Sequence, residues 1–264
     1  MFSTRKKKEK IERAASLILG SQKIVGFTGA GACTDSGVPD FRGIGHSYWT
    51  KYDPKDFLYQ QFIDSERSRK IFWEMEQQFY ELVLRVQPNE VHYAYSELEH
   101  KGKLLAVITQ NVDRLHQRAQ SSEEKVIEIH GSIFSVSCLH CYARFSRDHI
   151  YQRIKGGGIQ VPYCDLCGGI LKSNTIAFGQ PMPLESSLRS LQATMQSDLF
   201  IVIGASLLVQ PAAYLVIEAK RRGAKVLIIN LMATPYDIYA DLVIYDNAQE
   251  AIIQIMELVR KRMI

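Results

Sequence analysis

At 264 residues the chain can bury a large core as one big domain or as two unequal ones. Its composition, 46% hydrophobic and 23% charged, is that of an ordinary globular protein, with no internal repeat and no low-complexity segment. A formal net charge of +4 is too small to argue for direct nucleic-acid binding. The one dense basic run, Arg5-Lys6-Lys7-Lys8, passes into Glu9, Lys10 and Glu12 on helical spacing, as a solvated helix face does.

The N-terminal apolar stretch around Leu17-Ile18-Leu19 is short and lacks a small-residue cleavage site, so no signal peptide is expected. The first predicted strand, Ile24–Thr28, ends in Gly29-Ala30-Gly31. Glycines at a strand's end permit a tight turn and a close approach of backbone N–H groups to a phosphate. Alone, this Gly-x-Gly reads equally well as a plain turn, because Thr34 stands where a dinucleotide fingerprint has its third glycine. Pro39-Asp40-Phe41-Arg42-Gly43 follows, an unusual cluster for a helix or a turn. Residues 45–100 then interrupt the strand pattern with several helices rich in aromatics, from Tyr48 and Trp49 to Phe79 and Tyr80, which read mainly as core.

Strands resume at Leu104–Thr109, followed by Gln110-Asn111-Val112-Asp113, and at Val126–Ile129, followed by His130. Next come two Cys-x-x-Cys pairs, Cys138/Cys141 and Cys164/Cys167. Each pair supplies two thiolates from one turn, and together they fill a tetrahedral zinc shell with no open position, so the zinc is structural. Residues 137–173 are therefore expected to form a zinc ribbon. That assignment leaves Cys33 as the one other cysteine, which suits a reducing compartment, and a cytoplasmic location is expected.

Helical patterns at Pro183–Gln196 and Ala212–Arg222 alternate with apolar strands at Leu199–Gly204, Val226–Asn230 and Leu242–Tyr245. The run from Leu199 to Ile217 carries no charge, yet Gly204, Ser206, Gln210 and Pro211 divide it into strand, loop and helix, so no membrane partner is expected. Continuous apolar strands separated by helices predict an α/β fold with a doubly wound, Rossmann-like parallel sheet, carrying a smaller lobe made of the helical insert and the zinc ribbon. Ligands of such sheets bind beyond the carboxyl ends of the strands. Gly29–Gly31, Gln110–Asp113, His130, Gly204-Ala205-Ser206 and Asn230 all lie there. His130 is the best candidate general base, since an unperturbed imidazole accepts a proton near neutral pH. His140 falls inside the first zinc knuckle and reads as surface, and His116 reads as packing or capping.

These motifs, in this order, resemble the sirtuins, the NAD-dependent protein deacylases. Gly29-Ala30-Gly31 with Ser36-Gly37-Val38-Pro39-Asp40-Phe41-Arg42 is similar to the family's nucleotide loop, and Thr109–His116 to its nicotinamide-pocket motif. His130-Gly131 resembles the catalytic His-Gly, followed by the two zinc knuckles, Phe178-Gly179, Gly204-Ala205-Ser206-Leu207 and Ile229-Asn230-Leu231. The stretch Thr109–Gln120 resembles most the bacterial and archaeal branch that deacetylates.

The resemblance implies a reaction with no protein nucleophile. The acyl oxygen of an acylated lysine attacks C1′ of the nicotinamide ribose and expels nicotinamide, His130 deprotonates a ribose hydroxyl that attacks the resulting alkylamidate, and water releases lysine and O-acyl-ADP-ribose. It implies that Asn111 and Asp113 hold the nicotinamide side, with Gln110 and the backbone of Val112 beside them, and that Asp40, Phe41 and Arg42 close over the cofactor. It further implies that Gly29, Ala30, Gly31, Thr34, Gly204, Ala205 and Ser206 cradle the pyrophosphate. Asn230, Leu231 and Asn247 reach the adenosine, and an acyl-lysine protein or peptide pairs in strand fashion near Ile176, Phe178 and Gly179. The NAD-binding domain is expected over 1–44, 101–136 and 174–264, with 45–100 and 137–173 as the two small-lobe inserts. An NAD hydrolase or mono-ADP-ribosyltransferase using the same pocket is the alternative, and a reader without turnover is a third possibility that His130 opposes.

This chain departs from the family at several positions. Cys33 stands where serine is usual, and its thiol, near a helix N-terminus, reads either as filler or as an acidified, redox-sensitive group. Lys172-Ser173 and Gln180 replace a basic-proline pair and a glutamate. Phe72-Trp73-Glu74-Met75-Glu76 lacks the tyrosine and arginine of succinyl-removing members, and its glutamates are expected to repel a carboxylate, which favours neutral acyl groups.

Overall fold

The computed structural model describes residues 2–40 and 52–263. Tyr48 and Trp49 of the aromatic run lie outside the described residues, as do Phe41 and Arg42.

Six strands form one parallel sheet in the order β3-β2-β1-β7-β8-β9. They are β1 (Ile24–Thr28), β2 (Leu104–Thr109), β3 (Val126–Glu128), β7 (Leu199–Ile203), β8 (Lys225–Asn230) and β9 (Leu242–Tyr245). Every residue of β1 and β7 is buried, the consequence of helices on both faces and the reason these strands read as unbroken apolar runs. Successive residues serve opposite layers. Ile24, Leu199, Ile201 and Ile203 face a core shared with α1 (Phe2–Gly20), α4 (Glu90–His100) and α9 (Ala248–Arg262). Val25, Phe27, Phe200 and Val202 face the core beneath α7 (Leu184–Gln196) and α8 (Leu215–Arg221). The strand order reverses between β1 and β7, and the crevice beyond their carboxyl ends is where a doubly wound sheet binds its ligand.

The smaller sheet is antiparallel, β5-β4-β6, from β4 (Ser135–Cys138), β5 (Arg144–Ser146) and β6 (Leu171–Ser173), with α6 (Arg147–Gly157) following β5. The aromatic insert supplies α2 (Tyr59–Asp64) and α3 (Glu66–Arg85). Phe57, Phe62, Phe72 and Trp73 pack against Val136, Ile150 and Leu171, so insert and ribbon share one core, as expected. Phe79, Tyr80 and Val83 pack instead with Cys33, Leu115 and Ile133, where the small sheet's lobe meets the large one.

One boundary differs from the sequence reading. The expected small-lobe segment ran to residue 100, but α4 lies on the parallel sheet: Val91, Ala94, Tyr95 and Leu98 join the core with α1 and α9. Amphipathic periodicity shows that a helix has an apolar face but not which sheet that face meets. The basic run of α1 is only partly solvated. Lys7 pairs with Asp246 at 2.5 Å and Lys10 donates to the Val243 carbonyl at 2.8 Å, tying the helix over β9. Among the described residues, no helix is long and apolar enough to cross a membrane.

Candidate active site

The carboxyl ends of five strands open onto one cavity of about 680 Å³, bounded on the far side by α3 and by the Ile176–Gly179 segment. Ala30, Gly31, Thr34, Asp40, Gln110, Asn111, Val112, Asp113 and His130 line it from the β1, β2 and β3 ends. Gly204, Ala205, Ser206, Asn230, Leu231 and Asn247 line it from β7, β8 and the start of α9, and Ile176, Phe178 and Gly179 from the segment after β6. Phe41 and Arg42 lie outside the described residues, so the structure does not place them.

Gly29 sits behind the cavity wall, and its role there is steric. A Cβ on Gly29 would lie 2.8 Å from the Gly204 carbonyl oxygen, and one on Gly204, itself at φ +62°, would lie 2.3 Å from the Ala32 nitrogen. The glycines therefore let the β1 and β7 loops interlock at the switch point. Their amides are engaged too: Gly29 N–H donates to Ile203 O and Gly31 N–H to Gly204 O at 2.9 Å. The expected phosphate cradle is thus a bare surface made possible by glycine, rather than a set of glycine N–H groups aimed at the ligand.

Asn111 and Asp113, expected on the nicotinamide side, are tied together around a sulfur. Asn111 Nδ2 donates to Gly29 O at 3.0 Å and to Cys33 Sγ at 2.9 Å, and the Cys33 thiol donates to Asp113 Oδ2 at 3.1 Å. Asp113 Oδ1 accepts from Leu115 N at 3.0 Å, which fixes the carboxylate at the start of α5 (Leu115–Arg118). Behind the sulfur, His92 Nε2 approaches to 3.4 Å while its Nδ1 accepts from Asn89 N. With Nδ1 an acceptor, a neutral His92 carries its proton on Nε2 and donates toward the sulfur. Cys33 is 1% exposed, and burial, followed by the Asp113 carboxylate, pushes its thiol pKa well up. This corrects the acidified-thiol reading: Cys33 is a structural hydrogen-bond node. Burial likewise raises Asp113, against the donors that favour its charged form.

His130 follows β3 with its backbone held on both sides. Its carbonyl accepts from Ile176 N at 2.9 Å. Gly131, at φ +74°, is required by what crosses it, since a Cβ there would lie 1.8 Å from the Asn174 carbonyl oxygen. The His-Gly pair therefore puts His130 and the Ile176–Gly179 segment side by side. Burial lowers the His130 pKa, opposed by the Gln110 backbone, so the ring is neutral and able to accept a proton at pH 7. Two residues earlier, burial pushes the Glu128 carboxyl up to about 7.

The segment beyond His130 spans the two lobes. Phe178 O accepts from Tyr59 N at 2.9 Å, and Leu58 and Phe178 form an isolated parallel bridge. Gln180, in place of the usual glutamate, accepts from Ala177 N at 3.1 Å through its side-chain oxygen, a bond that needs no charge. On the opposite rim Asn230 Nδ2 donates to Met232 O at 2.8 Å. Asn247 caps α9 through Oδ1 and reaches Asp35 at 3.1 Å through Nδ2. His116 is buried with Nε2 3.0 Å from Thr28 Oγ1, a packing role as expected, and His140 is exposed.

The four knuckle sulfurs all lie within 4.8 Å of one another, with Cys138–Cys167 at 3.5 Å and Cys141–Cys164 at 3.7 Å. A zinc tetrahedron with bonds of about 2.3 Å has sulfur–sulfur edges of about 3.8 Å, so these residues fit the ion. Backbone N–H groups of His140, Cys141 and Gly169 point at the sulfurs at 3.4 Å, donors suited to thiolates.

Comparison with known proteins decides the family. The family model described as "Sir2 family" matches residues 29–211. The chain belongs to the Sir2 family. Its Sir2-family sequence is 38% identical, over 96% of each chain, to the NAD-dependent protein deacetylase 1 of Pyrobaculum aerophilum. The fold superposes on a solved Sir2 enzyme with a TM-score of 0.87, at 36% identity, covering 97% of this chain and 99% of the other. It also superposes on a Sir2–p53 peptide–NAD+ complex with a TM-score of 0.83, at 34% identity, covering 92% and 95%. Sequence reasoning missed His92 in this Sir2-family site. His92 gave no signal because it reaches Cys33 only after folding. Glu76, one of the glutamates read as repelling a carboxylate, is buried on the cavity wall.

Proposed function

We propose that this Sir2-family chain is an NAD-dependent protein-lysine deacetylase, acting on neutral acyl groups and producing nicotinamide, O-acyl-ADP-ribose and free lysine. The observation that carries this reading is the seat of His130, between strand-end loops shaped for a dinucleotide and a segment that joins the two lobes. NAD supplies an electrophilic C1′ and the acyl-accepting ribose. In this reading Asn111 and Asp113 hold the nicotinamide side, with Gln110, Val112 and Asp40 around it, and the wall of Ala30, Gly31, Thr34, Gly204, Ala205 and Ser206 receives the pyrophosphate. Asn230, Leu231 and Asn247 border the adenosine, and Ile176, Phe178 and Gly179 receive the peptide. His130, neutral at pH 7, takes the proton of the ribose hydroxyl that then attacks the activated acyl carbon. The zinc held by Cys138, Cys141, Cys164 and Cys167 is structural, because four thiolates leave it no open position.

We assign the large, NAD-binding lobe to residues 1–44, 101–136 and 174–264 with α4 added to it, and the small lobe to the rest of the insert and to 137–173. Cytoplasmic residence is supported by five cysteines outside any disulfide, four grouped for zinc and Cys33 a buried thiol.

The test incubates the protein with NAD and an acetyl-lysine peptide and follows nicotinamide and deacetylated peptide together, with His130→Ala alongside. Equal, peptide-dependent release of both, lost in the variant, is the expected result. Nicotinamide released without deacetylation would instead establish NAD hydrolysis or ADP-ribosyl transfer.

A further inference from the structure

The wall of the cavity opposite the strand ends is the inner face of α3, built from Phe72, Met75, Glu76 and Phe79. On the deacylase reading, on which this inference rests, the cofactor fills the strand-end side. The part of the acyl chain beyond its carbonyl therefore points at α3. Glu76 is an unusual residue for such a wall, a carboxylate only 3% exposed among aromatic and thioether side chains.

Its position is fixed from one side. Oε1 accepts from the Ser173 hydroxyl at 2.8 Å and from the Thr175 hydroxyl at 3.0 Å. Thr175 immediately precedes Ile176, whose N–H donates to the His130 carbonyl at 2.9 Å, so the carboxylate is anchored to the strand that flanks the base. Ser173 stands where the family usually has proline, which cannot donate, so this anchor belongs to the present chain. Oε2 is buried too and has no hydrogen-bond partner. The neighbouring cations do not fill the gap: Lys172 Nζ donates to the Ser173 carbonyl at 3.1 Å and to that of Thr175. The Arg147 guanidinium stacks on Trp73 and Tyr80, 4.9 and 5.1 Å from their ring centroids. Both cations lie close enough to Glu76 for it to favour their charged forms.

A buried carboxylate oxygen without a donor accepts strongly from any hydroxyl brought to it and repels a second carboxylate. We infer that Glu76 sets the acyl specificity of this enzyme. The pocket prefers acyl chains that carry a hydroxyl beyond the carbonyl to the same chains without it, and turns away chains that end in a carboxylate.

The test measures kcat/KM on one peptide carrying acetyl-, butyryl-, 3-hydroxybutyryl- or succinyl-lysine, for the wild type and for Glu76→Gln. In the wild type the 3-hydroxybutyryl peptide should exceed the butyryl peptide by about tenfold, as expected for one hydrogen bond to a charged acceptor, with succinyl well below both. In Glu76→Gln, with rates normalised to that variant's own acetyl rate, the hydroxyl advantage should fall to about twofold or less, and succinyl should gain about tenfold. Butyryl matching or exceeding both enantiomers of 3-hydroxybutyryl in the wild type overturns the inference without any variant, so a poorly folding Glu76→Gln leaves it testable. Turnover of acetyl and butyryl peptides with no hydroxyl preference overturns the inference alone. Turnover of none of the four removes the deacylase reading and this inference with it.

Discussion

The Cys33 thiol donates to the Asp113 carboxylate across 3.1 Å, at the point where the β1 and β2 loops meet. With Asn111 and His92 also directed at the sulfur, Cys33 accepts on one side and donates on the other, which a serine hydroxyl in the same place can also do. Cys33→Ser should therefore keep activity within about threefold, whereas Cys33→Ala leaves a buried carboxylate short of a donor, worth about 1–2 kcal/mol or roughly five- to thirty-fold in kcat/KM. Steady-state kinetics with varied NAD would show this. The raised thiol pKa adds a second outcome: in the folded, zinc-loaded protein Cys33 should resist iodoacetamide, and alkylation at Cys33 seen by peptide mass spectrometry would contradict the buried-node account.

Much of this was legible in the sequence, for definable reasons. The six parallel strands announced themselves because burial on both faces removes polar residues, so β1 and β7 read as unbroken apolar runs. The cavity's lining on the sheet side was legible because most of those residues follow a strand's end, and the cysteine cluster because thiol pairs carry their own spacing. Contacts across the fold were not legible. Gly131 looked like half of a motif, and only the structure shows the Asn174 carbonyl pressed against it. His92, 59 residues from Cys33, and Glu76, 97 from Ser173, meet their partners through tertiary packing, which local patterns do not encode. The placement of α4 failed for the same reason.

Gly131→Ala tests the close crossing beside His130. The substitution meets both a positive φ and a carbonyl oxygen 1.8 Å from the new Cβ, so backbone rather than a flexible side chain must move. The left-handed conformation alone costs roughly 1–2 kcal/mol, and displacing the Asn174–Ile176 segment adds to it. The expected outcome is a melting temperature lower by several degrees, together with a loss of deacylation larger than that stability change explains. Gly158→Ala, also at positive φ but with open space around its Cβ, serves as the control and should show the conformational penalty alone.

Removing the zinc should unfold one part of the molecule first. Cys138 and Cys164 are buried members of the small lobe's core, so the ion ties the knuckles to Phe72, Trp73 and Leu171. Chelation leaves four thiols crowded together without the bonds that hold them, and β4–β6 and α6 should lose order while the parallel sheet retains its own core. Hydrogen–deuterium exchange before and after chelation checks this. Protection should collapse in residues 135–173 and persist in β1, β7 and β8. Uniform loss across both sheets would show instead that the lobes unfold as one unit.

Two buried histidines set the protein's acid limit. Burial lowers the His92 pKa to about 4, and burial, followed by the nearby His92, lowers that of His116 well below the ordinary value. Below the unfolded value of about 6.5, the unfolded chain takes up protons that the folded protein refuses, so stability is complete above that pH and falls as pH drops toward 4. His92 alone accounts for about 3 kcal/mol of that loss at the bottom of the window. Urea unfolding at pH 7.5, 6.0 and 5.0 should therefore give midpoints that decline progressively below about pH 6.5. His92→Gln, whose amide can still donate toward Cys33, should flatten the slope while lowering stability at pH 7.5. An unchanged slope in that variant would place the acid sensitivity elsewhere.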